Sequence, residues 1–107
     1  MQARARALRA AYAAMERDRF GRSWTPEEIV LGFIGDVGDL AKLVQGKAGV
    51  RPRADLDAAL AHELADCLWA VITIADCYGV DLEAAFDATV QALTDQLQQV
   101  GGPREES

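Results

Sequence analysis

Four acidic residues interrupt an apolar pattern in the middle of this 107-residue chain: Asp36 with Asp39, and Glu63 with Asp66. Each pair is spaced i, i+3, which puts both carboxylates on one face of a helix. On a helical projection the two pairs lie on the same side of their respective apolar stripes and at the same angular offset. Their neighbours on that face are small or apolar, Gly32 and Leu43 beside the first pair and Ala59, Ala70, Thr73 and Cys77 beside the second. A solvated face would carry Lys and Gln instead, so the acids are expected to line a recess beside the core. Four carboxylates converging in a recess repel one another and lose hydration unless a cation neutralises them. All four are hard oxygen donors, which suits Mg²⁺ with Mn²⁺ as a substitute, and Mg²⁺ completes its shell with water and substrate phosphates. The plainer alternative is that a chain with seventeen acids places several at i, i+3 by chance.

Four helices must position these groups. Leu8, Ala11, Tyr12 and Met15 recur at helical spacing in an arginine-rich first segment. The second helix opens on Thr25-Pro26-Glu27-Glu28, where Thr25 can cap, Pro26 suits the first helical position and Glu28 can close a capping box. Its apolar stripe reads Val30, Phe33, Ile34, Val37, Leu40, Ala41 and Val44, and Gly46 and Gly49 end it before a loop containing Arg51-Pro52-Arg53. Asp55 can cap a third helix through Leu60, Leu64, Leu68, Val71 and Ala75, with Gly79 as its stop. Asp81 caps a fourth, carrying Leu82, Phe86, Val90, Leu93 and Leu97, which Gly101-Gly102-Pro103 is expected to break. The expected architecture is an all-α, four-helix bundle: a single domain over residues 1–102 and a flexible C-terminal tail over 103–107. The third helix is apolar nearly all round, with Trp69 and Ile72 off its main stripe, so a homodimer or homotetramer is expected to cover it.

Composition narrows the partners. Half of the residues are hydrophobic, but twenty of the 107 are alanine, which favours helices over a sandwich or barrel. Eleven basic against seventeen acidic residues give a net charge of −6. That balance argues against nucleic acid, whose phosphates need a positive face. No uninterrupted apolar run reaches the roughly 20 residues of a bilayer span, and arginines interrupt the N-terminus where a secretory signal would be apolar. Cys67 and Cys77 lie ten positions apart in one helix, about 15 Å at 1.5 Å per residue, too far for a disulfide. A reducing, cytoplasmic compartment is expected.

Asp36-Val-Gly-Asp39-Leu40, followed after a loop by Glu63-Leu-Ala-Asp66-Cys67-Leu68, resembles the paired acidic motif, ExxE then ExxD, of the MazG-like all-α nucleoside triphosphate pyrophosphohydrolases. The run FIGDVGDLAKLVQ at 33–45 looks closest to the dCTP pyrophosphatase branch, and HELADCLWAVITIADCYGVDLEAAF at 62–86 extends the likeness into the fourth helix. The resemblance implies hydrolysis of an NTP or dNTP to NMP and pyrophosphate in nucleotide-pool house-cleaning. It also implies Mg²⁺ held by Asp36, Asp39, Glu63 and Asp66, and a dimer or tetramer of helical subunits. Asp36 and Glu63 are the expected catalytic residues, Asp36 as the proton acceptor.

Departures from the family pattern are specific. The first acidic pair is two aspartates, each one methylene shorter than the usual glutamate. Thr89, Leu93 and Gln96 stand near the positions where the family carries Lys, Asn and Arg, and Gly46 and Ala70 stand near expected base-stacking aromatics. Base preference therefore does not transfer. Trp24, Lys42 and Lys47 are the substitute substrate-binding candidates, Trp24 for a base and the lysines for phosphates. His62, the only histidine, reads as a surface residue. The alternatives to an enzyme are a nucleotide-binding relative without turnover and a helical dimerisation module.

Overall fold

A computed structural model describes residues 1–49 and 54–106, of which 101–106 are described as backbone only. Its four helices are α1 (Gln2–Phe20), α2 (Pro26–Lys47), α3 (Leu56–Cys77) and α4 (Leu82–Glu106), with no strand among the described residues. Arg51 and Arg53 lie outside the described residues.

Local chemistry explains most of the boundaries. Gly21 ends α1 at φ 79°, a left-handed conformation that costs glycine nothing, and its N–H bonds back to the carbonyl of Arg17. The capping box of α2 is complete: the Glu28 N–H donates to Thr25 Oγ1 at 3.3 Å, and the Thr25 N–H donates to Glu28 Oε1 at 3.1 Å. Arg22 holds the same Glu28 carboxylate through two bonds, at 2.5 and 3.0 Å. Asp81 caps α4 by accepting from the Ala84 N–H at 3.1 Å. Asp55 occupies the N-cap position of α3 without a side-chain capping bond. Beyond the expected stop at Gly101-Gly102-Pro103, the helical backbone continues to Glu106. The fixed φ of proline is itself helical, so Pro103 removes one bond to the preceding turn without forcing the chain out of the helix.

Packing departs from the predicted stripes. α2 and α3 form an antiparallel hairpin and make the largest contact in the chain, while α1 runs antiparallel to α3 across its other flank. The face that α2 turns inward is Ile29, Phe33, Asp36, Leu40 and Leu43; Ile34, Val37 and Val44 are exposed. On α3 the most buried residues are Ala70 and Thr73, each 2% exposed, while Leu64, Leu68 and Val71 of the expected stripe face out. Asp36 and Glu63 therefore sit at the α2–α3 contact, with Asp39 exposed beside them. The small side chains of α3 are the reason: Ala59, Ala70 and Thr73 allow close approach of the two helices, which the leucine stripe would not.

Several polar contacts pin α1 to α3. Arg6 pairs with Asp76 at 2.8 Å, Trp69 Nε1 donates to the Ala5 carbonyl at 3.4 Å, and Tyr12 meets the Trp69 ring edge-to-face at 5.8 Å. α4 packs against no other helix to any comparable extent, and Phe86, Val90, Leu93 and Leu97 are all exposed. The radius of gyration is accordingly 18.8 Å, against about 13 Å for a compact chain of this length.

One expectation about membranes needs correction. Taken by length and composition, α3 is long and apolar enough to cross a bilayer, with a mean hydropathy of 1.5 over 18 residues. Counting uninterrupted runs missed this because Glu63 and Asp66 split the helix. Of these two acids Glu63 meets Asp36 and Asp39 of α2, while Asp66 stands at the edge of that group against His62.

Because the capping box fixes where α2 begins, Thr25→Ala is expected to cost about 1 kcal/mol, lowering the melting midpoint by about 4–8 °C. Thermal melts read this directly, and Thr25→Ser, which keeps the capping hydroxyl, should show little of the loss. An unchanged midpoint for the alanine variant contradicts the assigned role.

Candidate active site

Midway along the α2–α3 contact, carboxylate oxygens of Asp36, Asp39 and Glu63 lie within 4.8 Å of one another. Asp36 and Glu63 are half-buried and Asp39 is exposed, so the cluster opens to solvent on one side. The i, i+3 spacing brings Asp36 and Asp39 to one face of α2, and the antiparallel register sets Glu63 opposite them. Glu63 Oε1 is buried and has no hydrogen-bond partner among the described residues. A buried carboxylate oxygen without a donor is costly, and a cation is the partner that such an oxygen fits.

The fourth predicted ligand sits at the edge of this group. Asp66 contributes to the field at Glu63, but its Oδ2 lies 3.2 Å from His62 Nε2 one turn away. His62 is an exposed surface residue, as expected, and its ring lies against one of the four acids. Burial pushes the Glu63 carboxyl above its ordinary value, and the charges of Asp36, Asp66 and Asp39 push it further, with His62 opposing. Burial and the charges of Asp36, Glu63 and Asp66 likewise raise the Cys67 thiol, so this cysteine rests as the neutral thiol. Both cysteines are free.

A cavity of about 610 Å³ adjoins the cluster, walled by α1, α2 and α3. Pockets for small molecules run from about 300 to 1,000 Å³, so a nucleoside fits. Asp36 and Asp66 stand at one side of it, and Tyr12, Trp24, Phe33 and Trp69 supply aromatic walls. The Trp24 ring lies over Gly32, with its nearest carbon 3.8 Å from where a Cβ would be. Its backbone N–H donates to Glu16 Oε1 at 2.9 Å, which anchors the residue at the mouth of α2.

Of the three predicted substrate-binding residues, Trp24 lines the cavity and the two lysines do not. Lys42 is exposed on α2, one turn beyond Asp39, and Lys47 pairs with Asp57 at 2.6 Å near the α2–α3 connection. The positions Thr89, Leu93 and Gln96 are carried away on α4. Sequence reasoning missed the contribution of α1, whose Leu8, Tyr12 and Met15 form one wall. Their helical spacing marked a packed face, but nothing local said what lay opposite.

Comparison with known families identifies the chain's family. The family model of the MazG nucleotide pyrophosphohydrolase domain matches residues 24–100, well over half of the chain. The chain belongs to the MazG nucleotide pyrophosphohydrolase family. Neither the curated proteins nor the solved structures yield a match to it.

The electrostatics predict opposite pH effects from two glutamates in metal-free protein. Glu63 is raised above 4.5, so folding favours its protonated form; stability rises as pH falls from neutral through its folded value, and the gain is complete below the unfolded value. Glu28, held at about 2 by Arg22 and the Thr25 backbone, contributes stability that is present above 4.5 and lost as pH falls toward 2. In chelator, Glu63→Gln should therefore raise the midpoint near neutral pH and flatten the gain on mild acidification. A lower midpoint in the variant contradicts this electrostatic reading.

Proposed function

We propose that the chain is a divalent-cation-dependent nucleoside triphosphate pyrophosphohydrolase, converting an NTP or dNTP to NMP and pyrophosphate in clearing the nucleotide pool. One observation carries the reading: Asp36 belongs both to the three-carboxylate cluster and to the wall of the nucleoside-sized cavity. A nucleotide with its base among Tyr12, Trp24 and Trp69 has its phosphates at the acids.

Asp36, Asp39, Glu63 and Asp66 are the proposed cation ligands, and the all-oxygen donor set favours Mg²⁺, with Mn²⁺ as the substitute. When bound, the ion supplies charge neutralisation and Lewis acidity at the phosphates. The chain's own residues do the rest. Asp36, at the boundary between cluster and cavity, is placed to take a proton from attacking water. Glu63 is fixed across from it by the helix register. Trp24 stacks on the base, and Lys42, one turn past Asp39, faces the solvent side where a pyrophosphate product leaves. Lys47 is engaged by Asp57, which leaves it a structural role at the α2–α3 connection.

A second copy of the chain is the proposed cover for the apolar surface left outside. Val37 on α2, Leu64 and Leu68 on α3, and Phe86, Leu93 and Leu97 on α4 are between 44% and 71% exposed. That is too much large apolar surface for a lone chain. A dimer or tetramer, rather than membrane or nucleic acid, suits both this surface and the net charge of −6. The free thiols fit a cytoplasmic setting.

Pyrophosphate release from a panel of NTPs and dNTPs with Mg²⁺ or Mn²⁺ tests the activity. Losing a ligand should remove several kcal/mol of charge stabilisation, so Glu63→Gln is expected to lose about a hundredfold or more in rate. Failure of the folded wild type to release pyrophosphate from any nucleotide with either metal overturns the enzymatic reading. For the assembly, sedimentation at micromolar concentration should give at least a dimer; a monomer contradicts it.

A further inference from the structure

The α1 side of the cavity carries two charged groups that the hydrolytic reading does not use. Glu16 and Arg9 both line it, seven residues apart on one face of α1, which is about 10 Å along the axis. Glu16 is only 9% exposed. Its Oε1 accepts from the Trp24 N–H, and Oε2 makes no hydrogen bond among the described residues. The cation whose charge reaches it, Arg22, is already bound through two bonds to Glu28. Arg9 makes no ion pair among the described residues. An aromatic cavity with a half-satisfied carboxylate on one wall, and a free guanidinium two turns away, is asymmetric in what it can accept.

A carboxylate only accepts hydrogen bonds, and a guanidinium only donates them. Guanine presents two adjacent donors on one edge, N1–H and the N2 amino group, and two acceptors, O6 and N7, on the next. Adenine and cytosine set a ring-nitrogen acceptor beside their single amino group, and uracil and thymine flank N3–H with two carbonyls. Each of those alternatives points an acceptor at the Glu16 carboxylate. Arginine to guanine O6 and N7 is, in turn, the commonest specific pairing of a side chain with a base.

We propose that the cavity selects guanine nucleotides, so that GTP and dGTP are the preferred substrates. Glu16 accepts from N1–H and the N2 amino group, Arg9 donates to O6 and N7, and the ring stacks against Trp24 and Trp69. The choice of substrate rests on the pyrophosphohydrolase reading, whereas the binding preference does not. Trp24 and Trp69 are the only two tryptophans in the chain and both line this cavity, so intrinsic fluorescence reports on it directly.

The experiment is fluorescence titration of the wild-type chain with GMP, IMP, AMP, CMP and UMP, set beside kcat/KM for the corresponding triphosphates. Hydrogen bonds to a charged group predict that GMP binds about tenfold or more tightly than AMP, CMP or UMP, with IMP, which lacks the N2 amino group, in between. Glu16→Gln keeps an acceptor for the Trp24 N–H but sets an amide donor against guanine N1–H. It should cut the GMP-to-AMP preference by about tenfold, and Arg9→Ala should reduce it as well. Equal affinities across the wild-type panel, a preference for another base, or a Glu16→Gln variant that weakens every nucleotide alike overturns the proposal. Selective GMP binding without pyrophosphate release from any triphosphate supports the base pocket and overturns only the hydrolytic reading. Release without base preference does the reverse, and no binding of any nucleotide overturns both.

Discussion

The constraint around which this structure is organised is the burial of like charge between two helices. Asp36, Asp39 and Glu63 share a few ångströms of the α2–α3 contact, and one oxygen of Glu63 is enclosed without a hydrogen-bond partner among the described residues. Such an arrangement is unfavourable on its own, since each carboxylate raises the cost of ionising the next. Small residues on α3 nevertheless bring the helices close enough to create it. The fold thus holds its acids where the proposed divalent cation would complete the contact, which would couple metal binding and helix packing in one place.

That choice of interface has consequences for the rest of the chain. With the small, acid-bearing faces of α2 and α3 turned toward each other, their large aliphatic residues face outward, and α4 extends away with its own apolar stripe uncovered. α1 then closes the remaining flank of α3. It is fastened by the Arg6–Asp76 pair and the Trp69–Ala5 bond, and its inner face becomes the far wall of the cavity. The acids and the aromatic cavity are therefore two products of the same packing decision, and Asp36 belongs to both.

How much of this was legible in the sequence depended on whether the signal was local. The capping box of Thr25 and Glu28 and the cap at Asp81 were readable because each involves residues three apart. The paired acids were readable for the same reason, and their small neighbours marked a recess. What failed was the assignment of the buried stripe, because hydrophobic periodicity weights large residues such as Leu64 and Val37. The contact formed through Ala70 and Thr73, whose virtue is that they are small. The stop at Pro103 failed because one lost hydrogen bond does not end a helix whose backbone angles proline already suits. The wall supplied by α1, and the placement of Tyr12 against Trp69 nearly sixty residues away, had no local signature at all.

The central claim is that Asp36, Asp39 and Glu63 hold a divalent cation at the α2–α3 contact, beside the cavity. Anomalous diffraction from crystals grown with millimolar Mn²⁺ addresses it most directly, because Mn²⁺ identifies itself and its ligands together. The account predicts a strong anomalous peak among these three carboxylates, with Glu63 Oε1 in its coordination shell. Crystals with no peak there, and with Glu63 Oε1 turned to a protein hydrogen-bond donor, would contradict it.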